Sequence, residues 1–127
     1  KLNKAIGSQV QIVGDDLLVT SINKIKTSIA KNSSNTVLIK PNQVGTISET
    51  LNAINFAHKN NLNTIISHRS GDTEDSFIAD LAIGTQSTQL KSGAPARSER
   101  TAKYNRISEI IAHNKSINYL GLQAMKI

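Results

Sequence analysis

The chain has 127 residues, enough for one ordinary domain and too few for two. With 38% hydrophobic and 19% charged residues it falls among globular rather than disordered chains, and its longest apolar runs, such as residues 36–39 and 64–66, are far short of the roughly 20 residues that span a bilayer. The 15 lysines and arginines outnumber the 9 aspartates and glutamates, a balance that suits nucleic acid, a membrane surface or an anionic small molecule.

Four short β-rich runs alternate with four segments of helical period. The first run, residues 9–13, ends in Gly14-Asp15-Asp16. Thr20 and Ser21 then offer N-caps to a helix whose apolar face is Ile22, Ile25 and Ile29, at steps of three and four. The second run, residues 36–39, leads into Lys40-Pro41-Asn42-Gln43-Val44-Gly45. Thr46 with Glu49 makes a capping-box pattern, and Ile47, Leu51 and Ile54 are the expected buried stripe behind it.

The third run, residues 64–67, leads to His68-Arg69-Ser70-Gly71. A helix is expected over 75–83, with Phe77, Ile78 and Leu81 inward and Gly84 ending it. The fourth run, residues 88–90, leads to Lys91-Ser92-Gly93-Ala94-Pro95. A last helix from about Ser98 puts Tyr104, Ile107 and Ile111 on one side. His58 and His113 fall on helical segments and are expected at the surface.

β-α repeated four times, with no hairpin signal, predicts parallel strands and an α/β fold. Asp15, Lys40, His68 and Lys91 each follow the C-terminal end of an apolar strand, at steps of 25, 28 and 23 residues. A strand core buried on both faces should be apolar, so charge there asks for a reason. In (β/α)8 barrels the active-site residues project from that end of the strands, and a whole barrel takes roughly 250 residues. The pattern therefore predicts half of a TIM-type barrel, with two strand edges and an inner face left uncovered. Each residue also has a plain structural reading. Asp15 with Asp16 reads as a turn, Lys40 and Lys91 as solvated strand-end lysines, and His68-Arg69-Ser70 as a loop capping the next helix.

The absence of cysteine excludes disulfides and thiolate metal sites and suits a cytosolic protein. No apolar leader with a cleavage site is seen, so export is not expected. The chain opens on Lys1 rather than methionine, so it is expected to be processed or a piece of something longer. Aromatic residues are 3%, too few for the stacking platforms of single-strand binders, and the lysines are scattered. Neither nucleic acid nor a membrane is directly indicated, and phosphate binding by a few placed cations fits at least as well.

Ile12-Val13-Gly14-Asp15-Asp16-Leu17, Leu38-Ile39-Lys40-Pro41-Asn42-Gln43-Val44-Gly45 and the run from Ser67 through His68-Arg69-Ser70-Gly71-Asp72-Thr73-Glu74 to Asp75 resemble three signatures of the enolase family. So do Gln89-Leu90-Lys91-Ser92-Gly93-Ala94-Pro95 and Arg97-Ser98-Glu99-Arg100 with Ala102-Lys103-Tyr104-Asn105. The resemblance runs in order over essentially the whole chain, as the C-terminal portion of the family's barrel domain. It implies Mg²⁺-assisted, reversible dehydration of 2-phosphoglycerate to phosphoenolpyruvate, with Lys40 as general base and substrate contact and Asp15 as one of three carboxylates on Mg²⁺. It further implies substrate binding by His68, Arg69, Ser70 and Lys91, with Arg69 and Ser70 at the phosphate.

These residue types suit that chemistry. A free lysine, with a pKa near ~10.4, is a poor base at neutral pH unless nearby cations favour its neutral form. Arginine presents a planar fork to phosphate oxygens, and Mg²⁺ takes oxygen ligands. Asp72 stands where the family usually has glutamate, and Pro41 follows Lys40, fixing φ and removing a donor.

By the same resemblance the other two metal carboxylates, the proton-donating glutamate and a mobile histidine lie upstream of this chain. The isolated chain is therefore expected to be inactive. A homodimer and a cytoplasmic location, with a secondary cell-surface or secreted one, are the family-level expectations. The alternative is a non-catalytic scaffold that meets plasminogen or an RNA-decay assembly, the former compatible with Lys126.

Overall fold

In a computed structural model of the chain, residues 1–125 are described, and Lys126 lies outside them. The elements run α1 (Leu2–Ile6), β1 (Val13–Gly14), α2 (Ile22–Lys31), β2 (Thr36–Ile39), α3 (Ile47–Lys59), β3 (Asn63–Ser67), α4 (Phe77–Gly84), β4 (Gln89–Lys91) and α5 (Ser98–His113). Single 3-10 turns follow β2 at Pro41–Gln43 and end the described chain at Gly121–Met125. The four strands form one sheet in the order β1-β2-β3-β4, every pair parallel. This is the expected α/β architecture, each crossover carrying a helix.

Pairing register sorts the strand residues into two faces. Leu38 lies opposite Ile65, and Ile65 opposite Gln89, while Ile39 lies opposite Ile66 and Ile66 opposite Leu90. Because side chains alternate along a strand, these are two different layers. Val37, Ile39 and Ile66 join Leu18, Ile25, Ala53, Ile54, Ala57, Leu81 and Ala82 in one core beneath α2, α3 and α4. Burying each of its large aliphatic side chains contributes roughly 2 kcal/mol. Leu38 and Ile65 face the other way, into an open trough also lined by Val13 and Leu90.

The first unit departs from expectation. Residues 9–12 are not strand: Gln9 and Val10 fold back to donate to the Ile6 carbonyl after α1, an element the periodicity did not suggest. The Asn35 side chain takes over from a ladder there. Its Oδ1 accepts from the Ile12 N–H at 2.7 Å, and its Nδ2 donates to the Gly7 and Val10 carbonyls. Pairing with β2 begins only at Val13.

The helices also correct the reading in detail. In α3 the expected Ile47 and Leu51 are 44% and 36% exposed, and the buried face is Thr50, Ala53, Ile54 and Ala57. Small side chains there bring the helix close to the sheet. The capping box holds, with Thr46 Oγ1 accepting from Glu49 N–H at 3.2 Å, although the Glu49 carboxylate accepts from the Thr46 hydroxyl rather than from its backbone. α4 starts at Phe77, whose N–H donates to the Asp75 carboxylate, and the Phe77 ring is exposed rather than inward. Ile111 is likewise exposed, while Ile107 and Ile110 are half-buried. His113 is exposed as expected, but His58 is half-buried with Nε2 2.8 Å from Thr64 Oγ1.

Candidate active site

The site residues arise where the parallel strands stop. Parallel ladders put every strand's C-terminal end on one edge of the sheet, so residues far apart in sequence meet there. Asp15 follows β1, Lys40 follows β2, His68 follows β3, and Lys91 is the last residue of β4. By the alternation that puts Leu38 and Ile65 in the trough, Asp15, Lys40 and Lys91 belong to that face as well. Asp15 and Lys91 both line the trough of about 640 Å³, with Gln89, Ser92, Gly93 and Tyr104.

Asp15 and Lys40 touch. Nζ donates to Asp15 Oδ1 at 2.6 Å, and the side chains are 34% and 12% exposed, so the pair is only partly screened by water. Asp15 meets the chemistry of a magnesium ligand, a hard carboxylate oxygen on the concave side, but it is one donor rather than a complete site. Among the described residues no group of three or more His, Cys, Asp or Glu side chains could hold a metal ion.

The other side of the site is a loop. His68 is tied to β4 by its N–H, which donates to the Lys91 carbonyl at 3.0 Å. Burial lowers the imidazole pKa below its usual value; the nearby Asp72 opposes this, and Lys91, Arg100 and Lys103 reinforce it. The protonated ring is thus disfavoured. Arg69 is exposed, and its guanidinium donates to Asn42 Oδ1 at 3.0 Å, linking the loop after β3 to the turn after β2. Asp72 ties the loop to itself by accepting from the Arg69 N–H. Ser70 stands exposed beside Arg69. All six expected residues therefore share one edge; only Asp15 and Lys40 are in direct side-chain contact, and Arg69 and Ser70 reach outward.

Three supports went unnoticed in the sequence. Lys103 of α5 is fully buried, its ammonium donating to the Thr73 and Glu99 carbonyls (2.6 Å to the latter) and lying 3.8 Å from the Asp72 carboxylate. It pins the loop after β3 to α5. Its signal was the spacing of Lys103, Ile107 and Ile110, an i, i+4, i+7 face that a charged residue disguised. Gly93 has φ +80, and a Cβ there would meet Arg100 Cδ at 2.8 Å and His68 Cε1 at 3.2 Å, so glycine alone suits the turn after β4.

Thr20 is the third. It does not cap α2; Ser21 holds the N-cap position, and its side chain makes no capping bond. Val19 and Thr20 both have left-handed backbone, φ 43 and 57, which costs a β-branched residue of order 1–2 kcal/mol. No glycine or proline marks this turn, so nothing in the sequence announced it.

A parallel sheet with helices on its convex face and a charged C-terminal edge defines a segment of a (β/α) barrel of the enzyme type. Residues 1–126 match the family described as enolase, C-terminal TIM barrel domain. The chain is 52% identical over 121 residues to an enolase of Campylobacter lari, covering 95% of this chain and 29% of that protein. It is 62% identical over 101 residues to an enolase of Ureaplasma parvum (80% and 23%) and 50% identical over 125 residues to one of Helicobacter pylori (98% and 29%). This chain belongs to the enolase family, as the C-terminal portion of its barrel domain. It spans less than a third of the length of these curated relatives.

Proposed function

We propose that the protein containing this chain is an enolase that reversibly dehydrates 2-phosphoglycerate to phosphoenolpyruvate in glycolysis and gluconeogenesis, as a cytoplasmic homodimer. The observation that carries the reading is the gathering of Asp15, Lys40, His68, Arg69, Ser70 and Lys91 on one sheet edge, in a chain half or more identical to enolases. Among the described residues no helix is long and apolar enough to cross a membrane.

The roles follow from chemistry. Lys40, at the end of β2 and paired with Asp15 of the trough lining, takes the proton from C2. Arg69 offers two parallel N–H groups to the phosphate, and the Ser70 hydroxyl adds a donor beside it. Lys91, across the sheet from Lys40, places a fixed positive charge toward the substrate carboxylate, where negative charge grows as C2 is deprotonated. His68, whose protonated form burial disfavours, offers a ring N–H to the substrate. Asp15 supplies one Mg²⁺ ligand, the remaining ligands and the acid that protonates the departing 3-hydroxyl coming from outside this chain. Bound Mg²⁺ supplies positive charge against the developing dianion.

Two assays test the reading. The full-length protein, with Mg²⁺, should form phosphoenolpyruvate from 2-phosphoglycerate, and the 127-residue chain alone should not. A full-length protein without this activity would remove the proposal; turnover by the isolated chain would remove the assignment of the acid and further ligands to the rest of the protein.

A further inference from the structure

The segment between Asp15 and Thr20 holds Lys40 at two points. Asp15 Oδ1 accepts from Nζ at 2.6 Å, and Thr20 Oγ1 accepts from the Lys40 backbone N–H at 3.0 Å. On β2 the Thr36 N–H faces β1, donating to the Ile12 carbonyl, so by alternation the Lys40 N–H faces that side too, beyond the last β1–β2 pair at Gly14 with Val37. It would lack a strand partner without this hydroxyl. The Thr20 proton goes to Gln43 Oε1 at 2.7 Å, the Lys40 carbonyl being a longer second acceptor at 3.3 Å. One fully buried side chain thus fixes both the residue at the strand end and the Pro41–Gln43 turn that follows it.

The backbone is bent to allow this. Leu18 and Val19 both donate to the Asp15 carbonyl, closing a turn, and the two left-handed residues Val19 and Thr20 then reverse the chain toward β2. Neither is glycine, so the strained path is kept with side chains that resist it. A threonine used only as helix cap or filler would need neither the left-handed φ nor bonds to another strand's end.

We propose that Thr20 is a positioning residue for Lys40: its hydroxyl sets where the β2 end, and with it Nζ, stands relative to the substrate carbon. The inference rests on Lys40 as the base and adds the group that aims it. Removing the hydroxyl should therefore slow proton transfer and leave substrate affinity alone, because the phosphate-binding loop is held separately by Lys103.

The test uses the full-length protein. Thr20→Val keeps the shape and the β-branched side chain but loses the hydroxyl; Thr20→Ser keeps the hydroxyl. Thr20→Val should lower kcat, and the exchange of the C2 proton with solvent, about 10- to 100-fold, with KM within about twofold. Thr20→Ser should stay within about twofold of the wild type in both. A Thr20→Val protein with unchanged kcat overturns the inference, as does a Thr20→Ser protein that loses as much as Thr20→Val. If Thr20→Val does not fold, Gln43→Leu removes the second anchor and should lower kcat by about threefold at constant KM; an unchanged kcat there also overturns it. A wild-type protein without turnover would sink the reading of Lys40 itself, whereas normal wild-type turnover beside an unaffected Thr20→Val sinks only the role of Thr20.

Discussion

The two faces of this sheet are built on opposite terms. On the convex face Val37, Ile39 and Ile66 meet three helices and exclude water entirely. On the concave face Leu38 and Ile65 line an open trough, Val13 is 40% exposed, and the rim carries Lys91 and Asp15, the latter paired with Lys40. The convex face holds the strands in place by packing. The concave rim exists because those strands are held, and its groups are fixed by a few polar bonds rather than by close contact. Stability and chemistry are thus separable, and substitutions on the two sides should fail in different ways.

On the chemical side, Arg69→Ala in the full-length protein should raise KM for 2-phosphoglycerate about 100-fold or more, through loss of charge-assisted bonds to phosphate. Its melting temperature should stay near the wild-type value. Steady-state kinetics beside a thermal melt would separate the two effects, and a variant that loses stability instead would break the contrast between the faces. On the packing side, Ile66→Ala should cost about 2–5 kcal/mol by leaving a cavity in the core. Denaturant unfolding reads this directly; a cost under about 1 kcal/mol would mean that the core closes over the gap.

Lys103→Met tests the join between the two sides. It leaves the Thr73 carbonyl without this donor and Asp72 without its ion-pair partner, at about 1–3 kcal/mol. Amide exchange of residues 70–74 should quicken more than that of β2 and β3. Uniform quickening would make Lys103 a general core residue rather than the anchor of one loop.

The smallest effect is the titration of His68. Its folded pKa lies below the usual value near ~6.5, chiefly through burial. The sign follows from linkage: its contribution to stability is present above about pH 6.5 and is lost as pH falls through the lowered folded pKa. An NMR titration of its ring protons should give a midpoint below about 6.5; a midpoint above that value would mean that Asp72 outweighs burial.

Legibility in the sequence followed the same division. The β-α alternation and the charged strand ends were readable because a charge after an apolar run breaks a pattern that burial enforces. The first unit was not, because Asn35, an ordinary polar residue in composition, replaces a strand ladder with side-chain bonds. The α3 face was misread because size was taken for burial, whereas Ala53, Ala57 and Thr50 lie inward where the helix approaches the sheet. Thr20 was expected as a helix cap and Lys103 was missed, because hydroxyls and ammonium groups usually face water. Only partners distant in sequence explain their burial.

The central claim is that the C-terminal edge of this sheet is the base and substrate-binding side of an enolase. Exchange of the C2 proton of 2-phosphoglycerate with solvent deuterium, followed by NMR on the full-length protein and on Lys40→Ala, tests it most directly. The wild type should exchange in the presence of Mg²⁺, and Lys40→Ala should lose exchange while Mg²⁺ binding, measured by calorimetry, stays mostly intact. Exchange retained in Lys40→Ala would contradict the account, because the base would then lie elsewhere.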